Sequence, residues 1–343
     1  MSNNKKEKSK IKFALLGASK ISTQHLIAFG NLSDRCELVD ICDNNPLALE
    51  SISKLSEADL HEDYRSMLNE TTADCVVVTT PNGLHAEHSI MAAESGMHVV
   101  TEKPIAIDCL EAEKMLDIFS SQNKKLFVVK QMRFLKSLRI LKQAISENRF
   151  GKIFYIGANV FWTRPQDYYD SAKWRGTWKM DGGGALMNQA IHYIDLLQWL
   201  GGKVNTVQAI NKTLQRNIEA EDTSLNLFNF ESGAVGSCMV TLLTFPKNLE
   251  TSITVLGEKG TVKVGGQNLN SFTTWQFEDK ASYDPSISVV FDQESAHTSY
   301  YRNVLESLLF NAVPEVDGEE ALKSLEIVLA SYKSSSEKKI IRI

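Results

Sequence analysis

Three side chains able to exchange protons or hydrogen bonds fall at helical spacing in residues 180–199, MDGGGALMNQAIHYIDLLQW. Asn188, His192 and Asp195 lie at i, i+4 and i+7, on one face of a helix. Polar groups on an otherwise apolar helix are costly unless each finds a partner. An imidazole placed there can move a proton near neutral pH. A buried histidine bonded to its helical neighbours fits the same spacing equally well. A second chemical candidate is Lys103, in the run Thr101-Glu102-Lys103-Pro104. Pro104 fixes a turn and restricts Lys103 to an extended backbone. An ammonium held at the end of a strand can orient a hydroxyl.

A nucleotide-binding half tips the balance toward chemistry. Residues 12–16 read as a buried strand that ends in Gly17, and Gly17-Ala18-Ser19-Lys20-Ile21-Ser22 leads into a helix. In a dinucleotide fold the first glycine lets the strand turn sharply, and the amides that follow face a pyrophosphate. Serines stand at the second and third glycine positions of that fingerprint. They are small enough for close approach, and their hydroxyls can contact phosphate. Asp43 ends the second strand, 26 residues after Gly17, and suits a bond to the adenine-ribose hydroxyls. Its carboxylate would repel a 2′-phosphate, so NAD is expected over NADP. A helix-capping role for Asp43 is compatible with this. Thr80-Pro81-Asn82, with His85 one turn on, ends another strand on the same edge.

Residues 161–178 bring Arg164 and Arg175 together with Tyr168, Tyr169, Trp174 and Trp178. Guanidinium forks suit a carboxylate or diphosphate, and flat rings suit a base or sugar. An aromatic-rich structural loop is the plainer alternative.

The elements that must position these residues change in kind along the chain. Up to about residue 130, strands at 12–16, 37–42, 75–80, 98–101 and 126–130 alternate with helices at 21–29, 43–55, 85–95 and 108–121. That order predicts a parallel sheet covered on both faces. A helix at 138–148 follows. Strands at 153–160, 206–214, 223–230, 234–243, 249–256 and 261–264 then predict a mostly antiparallel sheet. Helices are expected at 182–199, 300–310 and 319–333. The fold class is α/β. A polar tail at 1–10 precedes a Rossmann domain at 11–132, and an α/β domain at 133–343 serves substrate binding and oligomerisation. The last helix is placed so that it can pack back on the first domain.

The 343 residues suffice for two cores. A net charge of −5 and a sequence pI near 5.9 argue against nucleic acid or an anionic membrane as partner. Five cysteines in no zinc-like spacing read as intracellular thiols, and no metal site is expected. MSNNKKEKSK lacks the apolar stretch of a signal peptide, and no run reaches membrane-span length. A cytoplasmic protein is expected.

Together these features resemble the Gfo/Idh/MocA oxidoreductase family over nearly the whole chain. The marks are Thr80-Pro81-Asn82 with His85, Glu102-Lys103-Pro104, Gln131 with Arg133, and the run from Gly182 to Asp195. The resemblance implies an N-terminal Rossmann domain, a C-terminal α/β domain with an open-faced sheet, a nicotinamide cofactor and catalysis by Lys103 and His192. It assigns cofactor contacts to Gly17, Ser19, Lys20, Ile21 and Asp43, to Thr80, Pro81, Asn82 and His85, and to Glu102, Lys103 and Gln131. Asn188 stands where many members have Asp. An amide is no base, so proton duty falls on His192 and Lys103.

Within the family, residues 161–192 look like those of the bacterial UDP-N-acetyl-2-amino-2-deoxy-D-glucuronate dehydrogenases. That narrower resemblance implies oxidation at C3 of a UDP-linked amino-uronic acid, for surface polysaccharide. Substrate contacts then fall to Arg164, Tyr168, Trp174, Arg175, Thr177, Asn188 and His192. It also implies 2-oxoglutarate as the reoxidant of bound NADH, and a homotetramer or dimer built on the C-terminal sheet. Oxidation of another sugar or polyol, and a redox-neutral NAD-using glycosidase, are the alternatives within the family; a nucleotide sensor without catalysis would need neither Lys103 nor His192.

Overall fold

The computed structural model describes residues 10–266, 268–287 and 294–343, so the polar tail lies outside the described residues except for Lys10. The chain divides into two compact units. The first holds residues up to 106, then 110–129 and 294–319. It opens with β1 (Ile11–Leu16), α1 (Ser22–Asn31), β2 (Cys36–Cys42), α2 (Pro46–Ser53), β3 (Asp59–His61) and α3 (Tyr64–Glu70). It continues with β4 (Cys75–Val78), α4 (His85–Glu94), β5 (His98–Thr101), α5 (Cys109–Ser121) and β6 (Leu126–Val128). The strands form one parallel sheet in the order β3-β2-β1-β4-β5-β6. Phe13 to Leu15 and Val76 to Val78 are fully buried, as strands covered on both faces require. Strand order reverses between β1 and β4, and ligands of open parallel sheets bind outside the carboxyl ends at such a point. Gly17 and Thr79 follow those two strands directly. Neither β3 nor α3 is legible as periodicity, because both are short and β3 (Asp-Leu-His) is an edge strand of mainly polar residues.

The second unit holds residues 107–109, 130–293 and 320–343. Its elements are α6 (Lys136–Ser146), β7 (Ile153–Phe161), α7 (Gln166–Asp170), α8 (Ile191–Gly201) and β8 (Val204–Lys212). Strands β9 (Thr223–Phe230), β10 (Val235–Thr241), β11 (Glu250–Gly257), β12 (Gly260–Gly265), β13 (Ser271–Phe277) and β14 (Ile341–Arg342) complete it. The eight strands run β13-β12-β11-β7-β10-β9-β8-β14, all antiparallel except β7 with β10. Alternation on β9 buries Ser224, Asn226, Phe228 and Phe230 and leaves Leu225 and Leu227 outward. Ile210 and Val235 are outward and exposed as well. The sheet is therefore open on one face, with apolar side chains on it.

Residues 294–319, read from sequence as part of the second domain, cluster with the first unit. Their helix α9 (Ala296–Phe310) buries Tyr300, Tyr301, Val304 and Leu305. Tyr301 packs edge-on against Phe13 of β1 and Phe29 of α1. The last helix, α10 (Gly318–Glu337), has only its first two residues in that unit. No helix among the described residues is long and apolar enough to cross a membrane.

Candidate active site

At the first turn Gly17 has φ +102°, and a Cβ there would stand 2.9 Å from Thr79 Oγ1 and 3.0 Å from the Thr79 carbonyl carbon. The position excludes every side chain on both counts. Ser22, at the third fingerprint position, is buried and donates to the Gly17 carbonyl at 2.6 Å. Its hydroxyl fastens helix to strand, so the expected phosphate contact does not apply to it. Ser19 donates to the Thr79 carbonyl at 3.3 Å, while Lys20 is exposed and Ile21 caps α1. Asp43 accepts from the Ala18 amide at 2.7 Å and from the Asn45 amide at 2.8 Å. The cap of α2 is Asn45, which accepts from Leu47, so Asp43 braces the turn and does not cap the helix. Half-buried, the Asp43 carboxylate keeps lone pairs for a diol. A cradle closed to a Cβ, the opening of α1 and a carboxylate beside them fit a dinucleotide. Asp43→Asn is expected to weaken NAD binding by about tenfold, the loss of one charge-assisted bond. Calorimetry showing unchanged affinity would remove Asp43 from the cofactor site.

The loops after β4 and β5 are tied by His85. Its Nδ1 lies 2.7 Å from the Pro104 carbonyl oxygen and its Nε2 2.9 Å from that of Thr80. The ring is buried, and burial pushes its pKa down. Expected as a cofactor contact, His85 sets both ring nitrogens against backbone carbonyls and, with one N–H on the neutral ring, donates to one of them. Thr80 Oγ1 pairs with His88 Nδ1 at 3.0 Å, Pro81 opens the 3₁₀ turn Asn82–Leu84, and Asn82 is buried. Glu102 is buried too and turned to His25, at 3.1 Å. Lys103 is half-buried, and its amide donates to Glu102 Oε2 at 3.2 Å.

In the second unit, residues 180–199 do not form one regular helix. Ala185–Ala190 is π-helical and α8 begins at Ile191. Gly184 is required because a Cβ there would lie 1.9 Å from the Glu221 carbonyl oxygen. Asn188 falls in the π-helical segment, while His192 and Asp195 stay together on α8. Asn188 donates to Asp181 Oδ1 at 2.7 Å, and Asp181 Oδ2 accepts from the Gly176 amide at 2.8 Å. Asp195 is buried and takes two 2.8 Å bonds from Arg133, with Lys130 at 3.5 Å. Burial opposes its charge, but Lys130 and Arg133 hold the carboxyl below its usual range. Asp195 anchors the helix, and His192, half-buried in the first turn of α8, remains as the chemical candidate. Gln131 opens the 3₁₀ turn Gln131–Phe134, and its Oε1 is buried without a hydrogen-bond partner, an acceptor awaiting a donor.

Glu221 was not legible as a site residue. Its carboxyl accepts from the Gly184 and Leu186 amides at 3.1 and 2.7 Å and from Tyr332 at 3.1 Å. Full burial raises its pKa from 4.5 to about 7 against those bonds. A raised carboxyl value favours the folded state fully below 4.5, and that contribution fades as pH rises to about 7. Stability relative to Glu221→Gln should therefore fall over this window, by on the order of 3 kcal/mol. Parallel denaturation curves for the two proteins between pH 4.5 and 8 would refute the assignment.

Arg164 and Arg175 converge on Tyr168. Their guanidinium carbons lie 5.5 and 4.4 Å from its ring centroid, and Arg175 Nη1 donates to its hydroxyl at 2.6 Å. Arg164 also covers Trp162 at 5.2 Å, and Arg175 covers Trp174 at 4.7 Å. Gln189 donates to the Tyr168 hydroxyl at 3.4 Å. Among the described residues no carboxylate is paired with either arginine, and Arg175 Nε is buried without a partner. Thr177 uses its hydroxyl on the Trp174 carbonyl at 2.7 Å and so shapes the loop. Tyr169 is buried and packs edge-on against Tyr168 at 5.1 Å, as a support for that ring, and Trp178 sets its ring edge-on to Tyr332 at 5.1 Å.

Residues 11–130 match the Gfo/Idh/MocA profile described as oxidoreductase family, NAD-binding Rossmann fold. Residues 142–343 match its companion, the C-terminal alpha/beta domain of the oxidoreductase family. The crystal structure of the WlbA dehydrogenase from Chromobacterium violaceum, in complex with NADH and UDP-GlcNAcA, is 47% identical with a TM-score of 0.92. The match covers 97% of this chain and 96% of that one. The Bordetella pertussis WlbA dehydrogenase, also with NADH and UDP-GlcNAcA, is 45% identical at a TM-score of 0.92, over 97% and 98% of the two chains. Levoglucosan dehydrogenase of Pseudarthrobacter phenanthrenivorans is 27% identical over 65% of this chain and 63% of its own length.

Proposed function

We propose that this chain, which belongs to the Gfo/Idh/MocA oxidoreductase family, oxidises the C3 hydroxyl of UDP-N-acetyl-2-amino-2-deoxy-D-glucuronate to the 3-keto sugar nucleotide. The product would feed surface-polysaccharide sugar synthesis. The observation that carries the reading is the pair of guanidiniums on Tyr168 without a carboxylate partner. Two uncompensated cations at one ring call for a ligand with at least two negative charges, and a uronate joined to a diphosphate has them. The two WlbA dehydrogenases, alike over nearly the whole chain, were crystallised with such a ligand.

Oxidation of an alcohol breaks its O–H and C–H bonds and forms a carbonyl. Bound NAD supplies the hydride acceptor. Gly17 and Asp43 would hold it, with Gln131 Oε1 as an acceptor for one of its donors. His192 takes the hydroxyl proton, and the Lys103 ammonium orients the hydroxyl oxygen. Asn188, an amide donating to Asp181, moves no proton. Arg164, Arg175 and Tyr168 hold the charged half of the sugar nucleotide. The outward apolar side chains Ile210, Leu225, Leu227 and Val235 support a second copy of the chain as cover for the open sheet face, in a tetramer or dimer.

The test is mass spectrometry after incubation with UDP-N-acetylglucosaminuronate, NAD and 2-oxoglutarate. The expected product is lighter than the substrate by two hydrogen atoms, and its yield rises with 2-oxoglutarate if that acid reoxidises NADH. An unchanged sugar nucleotide, with NADH formed from another sugar or polyol, would replace this substrate. Cleavage of a glycoside without net NADH would replace the reaction class.

A further inference from the structure

We infer that His25 and Tyr301 are positioning residues for Lys103, acting through the Glu102 carboxylate. The inference rests on the reading that Lys103 acts on the substrate hydroxyl.

Glu102 lies between three elements of the first unit: α1, the turn after β5, and α9. Its Oε1 is 3.1 Å from His25 Nε2, and its Oε2 accepts the Lys103 amide at 3.2 Å. His25 Nδ1 is 2.7 Å from the Tyr301 hydroxyl. His25, Glu102 and Tyr301 are all buried. Burial opposes the charge of Glu102, but the hydrogen bond from His25 and the nearby His297 imidazole hold the carboxyl well below its usual range, so it is ionised. An ionised carboxylate only accepts. His25 Nε2 is therefore the donor. Burial pushes the His25 pKa down, so the ring is neutral and carries one proton. Nδ1 is then the acceptor, and Tyr301 donates to it. Every proton in the chain Tyr301–His25–Glu102–Lys103 amide has one direction.

The chain links the parts of the site that must keep register. His25 lies one turn beyond Ser22 on α1, the helix that opens at the Gly17 turn. Tyr301 is fixed by its contacts with Phe13 and Phe29, with ring centroids 5.7 and 4.9 Å away. Without a donor from His25, a buried carboxylate turns away or takes a proton. Either change frees the backbone at Lys103, and a misplacement of about 1 Å at a reacting group costs up to about 10²-fold in rate.

A competing occupant is a divalent cation. One ligand atom each of His25, Glu102 and His297 lie within 4.8 Å of one another, and His297 Nε2, 3.8 Å from Glu102, has no hydrogen-bond partner. The two arrangements predict different chemistry of the isolated protein.

The test uses the full chain with His25→Ala, His25→Gln and Tyr301→Phe. Amide hydrogen exchange at Lys103 is followed by mass spectrometry, with kcat for the sugar nucleotide, KM for NAD and Tm beside it. His25→Ala should speed exchange at Lys103 and lower kcat by about tenfold or more, with KM for NAD within about twofold. His25→Gln should recover most of both, since its amide can donate where Nε2 stood. Should His25→Ala fail to fold, Tyr301→Phe carries the test, because it keeps the ring packing and removes only the donor. Unchanged exchange at Lys103 overturns the inference, as does a His25→Gln protein as impaired as His25→Ala. So does one equivalent of tightly bound zinc that is lost in His297→Ala. Faster exchange with kcat unchanged denies the catalytic consequence. If Lys103→Ala then also turns over normally, the failure belongs to the reading of Lys103 and not to the geometry around it.

Discussion

Alanine in place of His192 is expected to lower kcat by about 10²–10⁴ while NAD still binds, the range for removal of a general base. The same loss is expected for Lys103→Ala. The folded structure should survive both changes. His192 is half-buried at the start of α8, whereas that helix is held by neighbours on its other sides. Asp195 is clamped by Arg133 and Lys130, and Tyr193, Ile194, Leu196 and Leu197 are buried. The backbone at Lys103 is likewise held by Glu102. A fall in kcat with an unchanged Tm therefore marks chemistry. A large drop in Tm for His192→Ala would make the residue structural. Normal turnover in a well-folded His192→Ala protein would exclude it as the base and leave Lys103 as the group to examine.

The break between Asn188 and the helix that carries His192 and Asp195 shows where a sequence is silent. Strand and helix alternation from β1 to β6 is readable because strands covered on both faces are continuous apolar runs, such as Cys75–Val78. The bracing role of Asp43 beside a glycine turn is a local matter, and the spacing alone points to the right corner of the fold. Helical spacing of Asn188, His192 and Asp195 assumes an unbroken α-helix, and a π-helical segment at Ala185–Ala190 breaks that assumption. The break depends on Glu221, distant in sequence, whose carboxyl accepts the Gly184 and Leu186 amides. Nothing in the local pattern marks Glu221 as buried. His25 and Tyr301, 276 residues apart, are equally invisible before the topology brings α9 onto α1. Ser22 misleads for the opposite reason: serine suits a phosphate and a buried cap of strand to helix, and only its burial decides.

The largest effect on substrate affinity is expected from Arg175→Ala. Its guanidinium stacks on Tyr168 and Trp174, donates to the Tyr168 hydroxyl, and pairs with no carboxylate among the described residues. Stacking fixes the plane of the fork before a ligand arrives, so little conformational entropy is lost on binding. A charge-assisted bond to a carboxylate or phosphate oxygen is worth about 1.5–3 kcal/mol. KM for the UDP-uronate should therefore rise by about 10–100-fold, while KM for NAD changes by less than about twofold. Arg175→Lys should recover only part of the loss, because an ammonium neither stacks nor forks. Arg164 shares the Tyr168 ring, so the double variant should fall short of the summed single losses. The loop could instead be structural, with the arginines serving only to pack Tyr168. In that case KM for the sugar nucleotide would stay put and Tm would fall, and Tyr168→Phe, which keeps the ring, would behave as wild type in both measurements.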